Sequence, residues 1–321
     1  MLNILVTGSN GQLGSEIREL VNGSTTSVVP CTGEAEATHP REKTRFYFTD
    51  RTTLDISNPH AITEFVNKNN INTIINCAAY TAVDKAESDA ENADKINHLA
   101  VKYLAQISKE KNIKLIHIST DYVFDGTNHM PYKEDDQVNP NSVYGRTKLD
   151  GEKAMQEINP ANSIIIRTSW VYSSYGNNFV KTMLCLGKEK ESLGVIFDQV
   201  GTPTYARDLA KAIVEILPKL GTTEVVHPNG SVALASPKEV QVYNYSNEGV
   251  LSWYDFAKEI MRMAKLNCTI NPIETKEYPT PATRPHYSLL NKAKIKKEFN
   301  ISIPYWKDSL NECLEKMGER K

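Results

Sequence analysis

The first fourteen residues constrain the fold more than any other stretch of the chain. Leu2 to Gly8, "LNILVTG", is a short β-branched run closed by glycine; "GQLGSEIRELV" then brings Leu13, Ile17 and Leu20/Val21 at helical spacing. Strand, tight turn and helix in that order predict the opening unit of a doubly wound α/β domain. Gly8, Gly11 and Gly14 occupy the turn, "GSNGQLG". Glycines there allow backbone N–H groups to approach a pyrophosphate and the helix to pack close to the sheet, while the helix N-terminus offers unpaired donors. The spacing G-x-x-G-x-x-G is a variant of the dinucleotide fingerprint. A purely structural turn is the alternative, and the position directly after an N-terminal strand favours binding.

The alternation continues. "FYFTD", "NTIINCAA", "IKLIHIST" and "NSIIIRTSWVY" read as further strands, and helices are predicted near Pro59 to Asn69, over "DAENADKINHLAVKYLAQISKE" and over "VYGRTKLDGEKAMQEI". In the long middle helix, Ala93, Ile96, Ala100, Leu104 and Ile107 fall on one face. Several strands are apolar in continuous runs, the pattern of a parallel sheet covered on both sides. Asn22 to Arg45, rich in Thr, Gly, Pro and charge, reads as a surface loop inserted before the second strand. Beyond about Tyr175 the regularity loosens, although "NNFVKTMLCLGKE", "ARDLAKAIVEILPKL" and "SWYDFAKEIMRMAKL" read as helices and "EVQVYNYSN" as a strand. The expected division is a dinucleotide-binding Rossmann-type domain over most of 1–172. A smaller substrate-binding cap over most of 173–321 has some segments interleaved with it.

Composition excludes several classes. At 321 residues, 40% hydrophobic and 24% charged with net charge −2, the chain lacks the basic excess of nucleic-acid binders. Five cysteines (Cys31, Cys77, Cys185, Cys268, Cys313) are scattered without a C-x-x-C pair, and the histidines show no ligand spacing, so neither a disulfide framework nor a zinc site is expected. No apolar run approaches the ~18 residues that span a bilayer, and the first residues read as a strand rather than a leader. A cytoplasmic protein without membrane or nucleic-acid partners is the expectation.

An acidic residue ending the second strand would reach the adenosine ribose. Asp50 fits, although it lies 36 residues after Gly14, an excess that the 22–45 insertion explains. A turn or capping aspartate is the alternative. Arg51 follows and suits a 2′-phosphate, so NADH and NADPH both remain open. Asp55 and Ile56 in "LDIS" lie near the expected adenine edge, with capping by Ser57 or Asn58 as the ordinary explanation for polarity there.

Tyr144 and Lys148, in "NPNSVYGRTK", are four residues apart and share a helix face. A free phenol has a pKa near ~10. A neighbouring ammonium is expected to lower it, making Tyr144 a general acid for the alkoxide that hydride addition to a carbonyl creates. Thr120, ending the fourth strand in "HISTDYVFDG", supplies a hydroxyl to orient the substrate oxygen.

The conjunction of an N-terminal glycine turn, a Ser-Thr ending strand four and Y-x-x-x-K opening the next helix resembles the extended, sugar-nucleotide branch of the short-chain dehydrogenase/reductase superfamily. Within it, "NCAAYTAVDKAE", "HISTDYVFDG", "NSVYGRTKLDGE", "RTSWVY", "DQVGTPTYARDLA" and "RPHYSLLNKAK" resemble the dTDP-4-dehydrorhamnose reductase family over nearly the whole chain. That resemblance implies reduction of the 4-keto group of a dTDP-6-deoxy-hexulose by NADH or NADPH. It implies Thr120, Tyr144 and Lys148 as catalytic residues, with Lys148 also holding the nicotinamide ribose. It also implies a cofactor lining of Gly8, Asn10, Gly11, Gln12, Leu13, Gly14, Asp50, Asp55, Ile56, Ala78, Ala79 and Tyr80, and Thr120, Asp121, Tyr122 and Trp170 facing the sugar. Sheet packing is the alternative explanation for Ala78 and Ala79, and a place in the core for Trp170; the site reading is favoured for all three. Related dehydratases carry Asp-Glu after the threonine; here Asp121-Tyr122 stands instead, which favours simple reduction. Some members bind Mg2+ through acidic residues at a homodimer interface, and those residues are not assigned here. Two other readings stay open: an epimerase of the same branch, and a non-catalytic subunit similar to the regulatory subunit of methionine adenosyltransferase.

Overall fold

The computed structural model describes residues 1–23, 28–29, 44–221, 224–226, 232–234 and 238–319. Its centre is a sheet of seven strands in the order Gln241–Asn244, Ile164–Thr168, Lys114–Thr120, Thr73–Asn76, Leu2–Thr7, Thr44–Phe48 and Val28–Val29. Every neighbouring pair is parallel. The strand order reverses between Leu2–Thr7 and Thr73–Asn76, and such a switch point opens a crevice beyond the strands' carboxyl ends.

Alternation along each strand decides which helical layer it serves. Ile4, Val6, Ile75, Ile116 and Ile166 share a core with Leu13 and Ile17 of helix Gln12–Gly23 and with Leu209 and Ile213 of helix Ala206–Ile216. Leu5, Ile74, Leu115 and Ile165 face the opposite way, onto Ile62 and Val66 of helix Pro59–Asn69, Leu104 of helix Ala100–Glu110 and Met155 of helix Val143–Ile158. Both faces are therefore covered, which is why the strands read as unbroken apolar runs. A separate core, including Tyr172, Val180, Tyr205, Phe256, Ile260, Trp306 and Leu310, belongs almost wholly to the second half of the chain.

Helices Pro59–Asn69 and Val143–Ile158 occupy the predicted spans. The first is capped by Asn58, whose side-chain oxygen accepts from His60 N and Ala61 N. Two expectations need correction. The 22–45 stretch is not loop throughout: residues 22–23 end the first helix, Val28–Val29 adds an edge strand and residues 44–45 begin the next strand, while 24–27 and 30–43 lie outside the described residues. The single long middle helix is broken by a π turn, Lys95–Leu99, between Ala90–Asp94 and Ala100–Glu110. The strand expected in "EVQVYNYSN" forms, Gln241–Asn244, and joins the main sheet beside Ile164–Thr168. Helices Ala293–Phe299 and Trp306–Lys316 went unpredicted.

Candidate active site

A cleft of about 920 Å³ opens beyond the carboxyl ends of the strands. Five of the seven strands deliver a short segment to it. Gly8 and Asn10 to Leu13 follow the first strand, Asp50 and Arg51 the strand Thr44–Phe48, and Ala78 to Tyr80 the strand Thr73–Asn76. Thr120, Asp121 and Tyr122 end Lys114–Thr120, and Trp170 follows Ile164–Thr168. Tyr144 and Lys148 enter from helix Val143–Ile158, and Asp55 and Ile56 complete the far edge.

Gly8 adopts φ +63°, and a Cβ on it would lie 2.6 Å from the backbone N of Ala78. The glycine turn and the Ala78 loop therefore touch, so this close approach requires glycine. Gly14 has a different role from that expected: it does not line the cleft, and a Cβ there would lie 2.6 Å from both Gly8 O and Ser9 Cα. It lets the helix press against its own entry turn.

Asp50 ends the second long strand, but its carboxylate is already engaged. Oδ1 accepts from the Thr52 hydroxyl (2.7 Å), Thr52 N (2.9 Å) and Thr53 N (3.0 Å), and Oδ2 accepts from Asn10 Nδ2 (2.6 Å). The Thr52 hydroxyl and the Thr53 amide hold its pKa down to about 2. Asp50 is thus both the turn aspartate and a cleft residue, since each explanation uses a different oxygen. Asp55 similarly accepts from the backbone N and hydroxyl of Ser57 while lining the cleft.

The π turn explains how Ala78, Ala79 and Tyr80 are held. It rotates the buried Asn97 inward, where its amide accepts from Tyr80 N (2.8 Å) and donates to Tyr80 O (3.1 Å) and to the Thr147 hydroxyl (3.2 Å). One side chain thereby ties the Tyr80 loop to the helix that carries Tyr144 and Lys148. The turn also leaves Ile96 facing the cleft instead of packing on the common apolar face.

Helix Val143–Ile158 starts where Ser142 accepts from Gly145 N, and this places Tyr144 and Lys148 in the cleft, both buried. The Tyr144 ring meets Tyr122 edge-on at 5.5 Å. Burial pushes the phenol up to about 12, opposed by the nearby Thr120 hydroxyl and with a smaller push from Asp121. The expected lowering by Lys148 is not found. The ammonium donates to Ile118 O at 2.6 Å, with His117 Nε2 at 3.5 Å. Burial lowers Lys148 itself to about 8, with Glu152 acting in the opposite sense.

Asp121 is the sharpest electrostatic feature. Its Oδ1 accepts from the Thr120 hydroxyl at 3.0 Å, while the buried Oδ2 has no protein partner. Burial raises its pKa to about 7, although the Ser288 and Thr120 hydroxyls nearby oppose the shift. Trp170 adopts φ +49°, a costly conformation for a bulky side chain, and stacks on Trp253 with centroids 3.7 Å apart. Trp170 thus packs on Trp253 and also lines the cleft.

A family model described as "RmlD substrate binding domain" matches residues 2–319. The dTDP-4-dehydrorhamnose reductase of Salmonella typhimurium is 38% identical over 322 residues, covering 98% of each chain. That of Aggregatibacter actinomycetemcomitans is 37% identical over 316 residues, covering 97% of each. The chain belongs to the dTDP-4-dehydrorhamnose reductase family. Solved structures agree. The Clostridium acetobutylicum reductase superposes with a TM-score of 0.83 at 38% identity, covering 99% of this chain and 100% of that one. The Bacillus anthracis reductase, solved in complex with NADP, gives 0.83 at 33% identity with 98% and 100% covered.

In this member of the reductase family, all the expected site residues except Gly14 line one cleft. Sequence reasoning did not single out Gly176 and Asn177, which line it from the start of the second half, or Asn97, which holds its wall. Gly176 and Asn177 lie in "SSYGNN", an unremarked turn. Asn97 sits in a helical pattern that gives no sign of a π turn. Among the described residues no group of three or more His, Cys, Asp or Glu side chains is placed to hold a metal ion, so the Mg2+ expectation finds no support there. Nor, among them, is any helix long and apolar enough to cross a membrane.

Proposed function

We propose that Tyr144 is the proton donor when this reductase converts the 4-keto group of dTDP-4-dehydro-L-rhamnose to the hydroxyl of dTDP-L-rhamnose. One observation carries the reading: Tyr144, Thr120 and Lys148 converge in the same cleft as the glycine turn.

The residues fit a nicotinamide dinucleotide. Gly8 has no room for a Cβ where the turn meets Ala78, the helix N-terminus beyond it points donors into the cleft, and Lys148 lies at the far end. When bound, the nicotinamide supplies the hydride. Gly11, Gln12 and Leu13 would hold the pyrophosphate, Asp55 and Ile56 the adenine side, and Lys148 the nicotinamide ribose. Both NADH and NADPH are accepted on this reading, because Asp50 offers an acceptor to a ribose diol while Arg51 and Arg18 offset its charge. Arg18 Nη1 lies 3.4 Å from Asn10 Oδ1, and Asn10 in turn bonds Asp50.

A phenol held near 12 stays protonated at any physiological pH, so Tyr144 meets the developing alkoxide as an acid. Thr120 holds the same oxygen from the side. The unpartnered Asp121 Oδ2 is an acceptor for a sugar hydroxyl, and Trp170 offers an apolar wall. Tyr122 packs edge-on against the Tyr144 ring, which is itself buried. The test is direct: supply the dTDP-keto-sugar and follow oxidation of NADH and NADPH separately. Turnover with both cofactors supports the reading; oxidation of neither overturns it.

A further inference from the structure

A row of buried polar side chains crosses the sheet beneath Lys148. Thr7, Asn76 and His117 are register partners on three adjacent parallel strands. Asn76 and His117 are 0% exposed and Thr7 1%. The Thr7 hydroxyl lies 2.6 Å from Asn76 Oδ1, Asn76 Nδ2 lies 3.1 Å from His117 Nδ1, and His117 Nε2 lies 3.5 Å from Lys148 Nζ.

The placement of the amide atoms sets the polarity of the row. The Asn76 amide oxygen accepts from the Thr7 hydroxyl, and the amide nitrogen faces the imidazole. An amide nitrogen only donates, so His117 Nδ1 must be the accepting, unprotonated nitrogen. The ring is fully buried and faces a lysine, and both effects keep it neutral. A neutral imidazole carries one proton, which therefore sits on Nε2 and points at Lys148. An N–H aimed at an ammonium is unfavourable, whereas the same N–H aimed at an amine donates a hydrogen bond.

We propose that His117 is a positioning residue for the reduction: the row Thr7–Asn76–His117 fixes its ring proton on Nε2, and that proton disfavours the ammonium form of Lys148. Lys148 then gives up its proton readily and works as a proton carrier within the site, in addition to holding a ribose. The inference rests on the role given to Lys148 above. The other ionisable groups facing Lys148 are Tyr144 and Glu152, one turn away on either side on its own helix. Glu152 is itself bound by Arg167 of strand Ile164–Thr168, with Arg167 Nη2 to Oε2 at 2.7 Å. His117 faces it from the sheet.

Two readouts test this. Nitrogen-detected NMR of the ¹⁵N-histidine-labelled full-length protein should find the His117 proton on Nε2; a proton on Nδ1, or a doubly protonated ring, overturns the proposal. In the pH profile of kcat, the fall in rate as Lys148 deprotonates should move to higher pH by about one unit or more in Asn76→Asp. A carboxylate there accepts from Nδ1–H and leaves Nε2 bare to receive the ammonium. Thr7→Val, which frees the amide to turn over, should move it the same way by less, and it serves should Asn76→Asp fail to fold. An unmoved profile in folded variants overturns the coupling to Lys148. Absence of keto-sugar turnover by the unaltered protein would instead refute the functional reading, and the ring-proton measurement would still stand.

Discussion

Tyr144 and Asp121 illustrate how burial acts on two acids in one cleft. Tyr144→Phe removes the proton donor but keeps the ring against Tyr122, so kcat should fall by roughly 10²–10⁴ with cofactor affinity little changed. Steady-state kinetics with a separate cofactor titration checks both halves. Asp121, raised to about 7, binds its proton more tightly in the folded than in the unfolded chain, where a carboxyl titrates near ~4. The stability it contributes is therefore fully present below about pH 4 and is lost as pH rises through 7. Asp121→Asn should stabilise the protein at pH 8 by something on the order of 1–3 kcal/mol and have little effect at pH 4, while impairing turnover. Denaturant melts at the two pH values decide the matter. A larger gain at pH 4 would contradict it.

Among the elements, the π turn Lys95–Leu99 has the clearest task. An uninterrupted α-helix would place residue 97 elsewhere, whereas here Asn97 satisfies both backbone polar groups of Tyr80 and also reaches Thr147. Asn97→Ala leaves the Tyr80 groups without those partners, which should cost about 1–3 kcal/mol and raise KM for the cofactor more than it lowers kcat. Chemical denaturation and initial-rate kinetics report the two effects. The helix Val143–Ile158 was legible in the sequence to the residue because its Ser142 cap and its spacing are local signals. The π turn was not, because nothing within "DKINHLA" distinguishes it. It forms where a buried amide finds three partners from other parts of the chain.

Across the whole molecule, the two halves are joined through Glu16, which is fully buried in the first helix. It accepts from the Ser173 hydroxyl (2.6 Å), Lys316 (2.9 Å) and Arg207 (3.3 Å). Gln12 and Asn178 bond alongside at 3.0 Å, so the segment bearing Gly176 and Asn177 is fastened to the glycine turn. Glu16→Ala should destabilise the fold by roughly 3 kcal/mol, the lower end for a broken buried pair, since Glu19 still engages both cations. The same change should weaken cofactor binding through Gly176 and Asn177. Urea midpoints and fluorescence titration of the reduced cofactor test these together, and unchanged values in both would remove the link.

Local chemistry pointed to the parallel sheet, the glycine turn and the cleft residues Thr120, Tyr144 and Lys148, because strand and helix periodicity and an i, i+4 pair are written within a few residues of one another. Tertiary packing decided what those groups are like in place. Burial raised the phenol that sequence logic would lower, register aligned Thr7, Asn76 and His117 under Lys148, and a strand from residue 241 onward returned to the sheet. Solvation and cross-strand neighbours depend on residues far apart in the chain, and no local pattern specifies them.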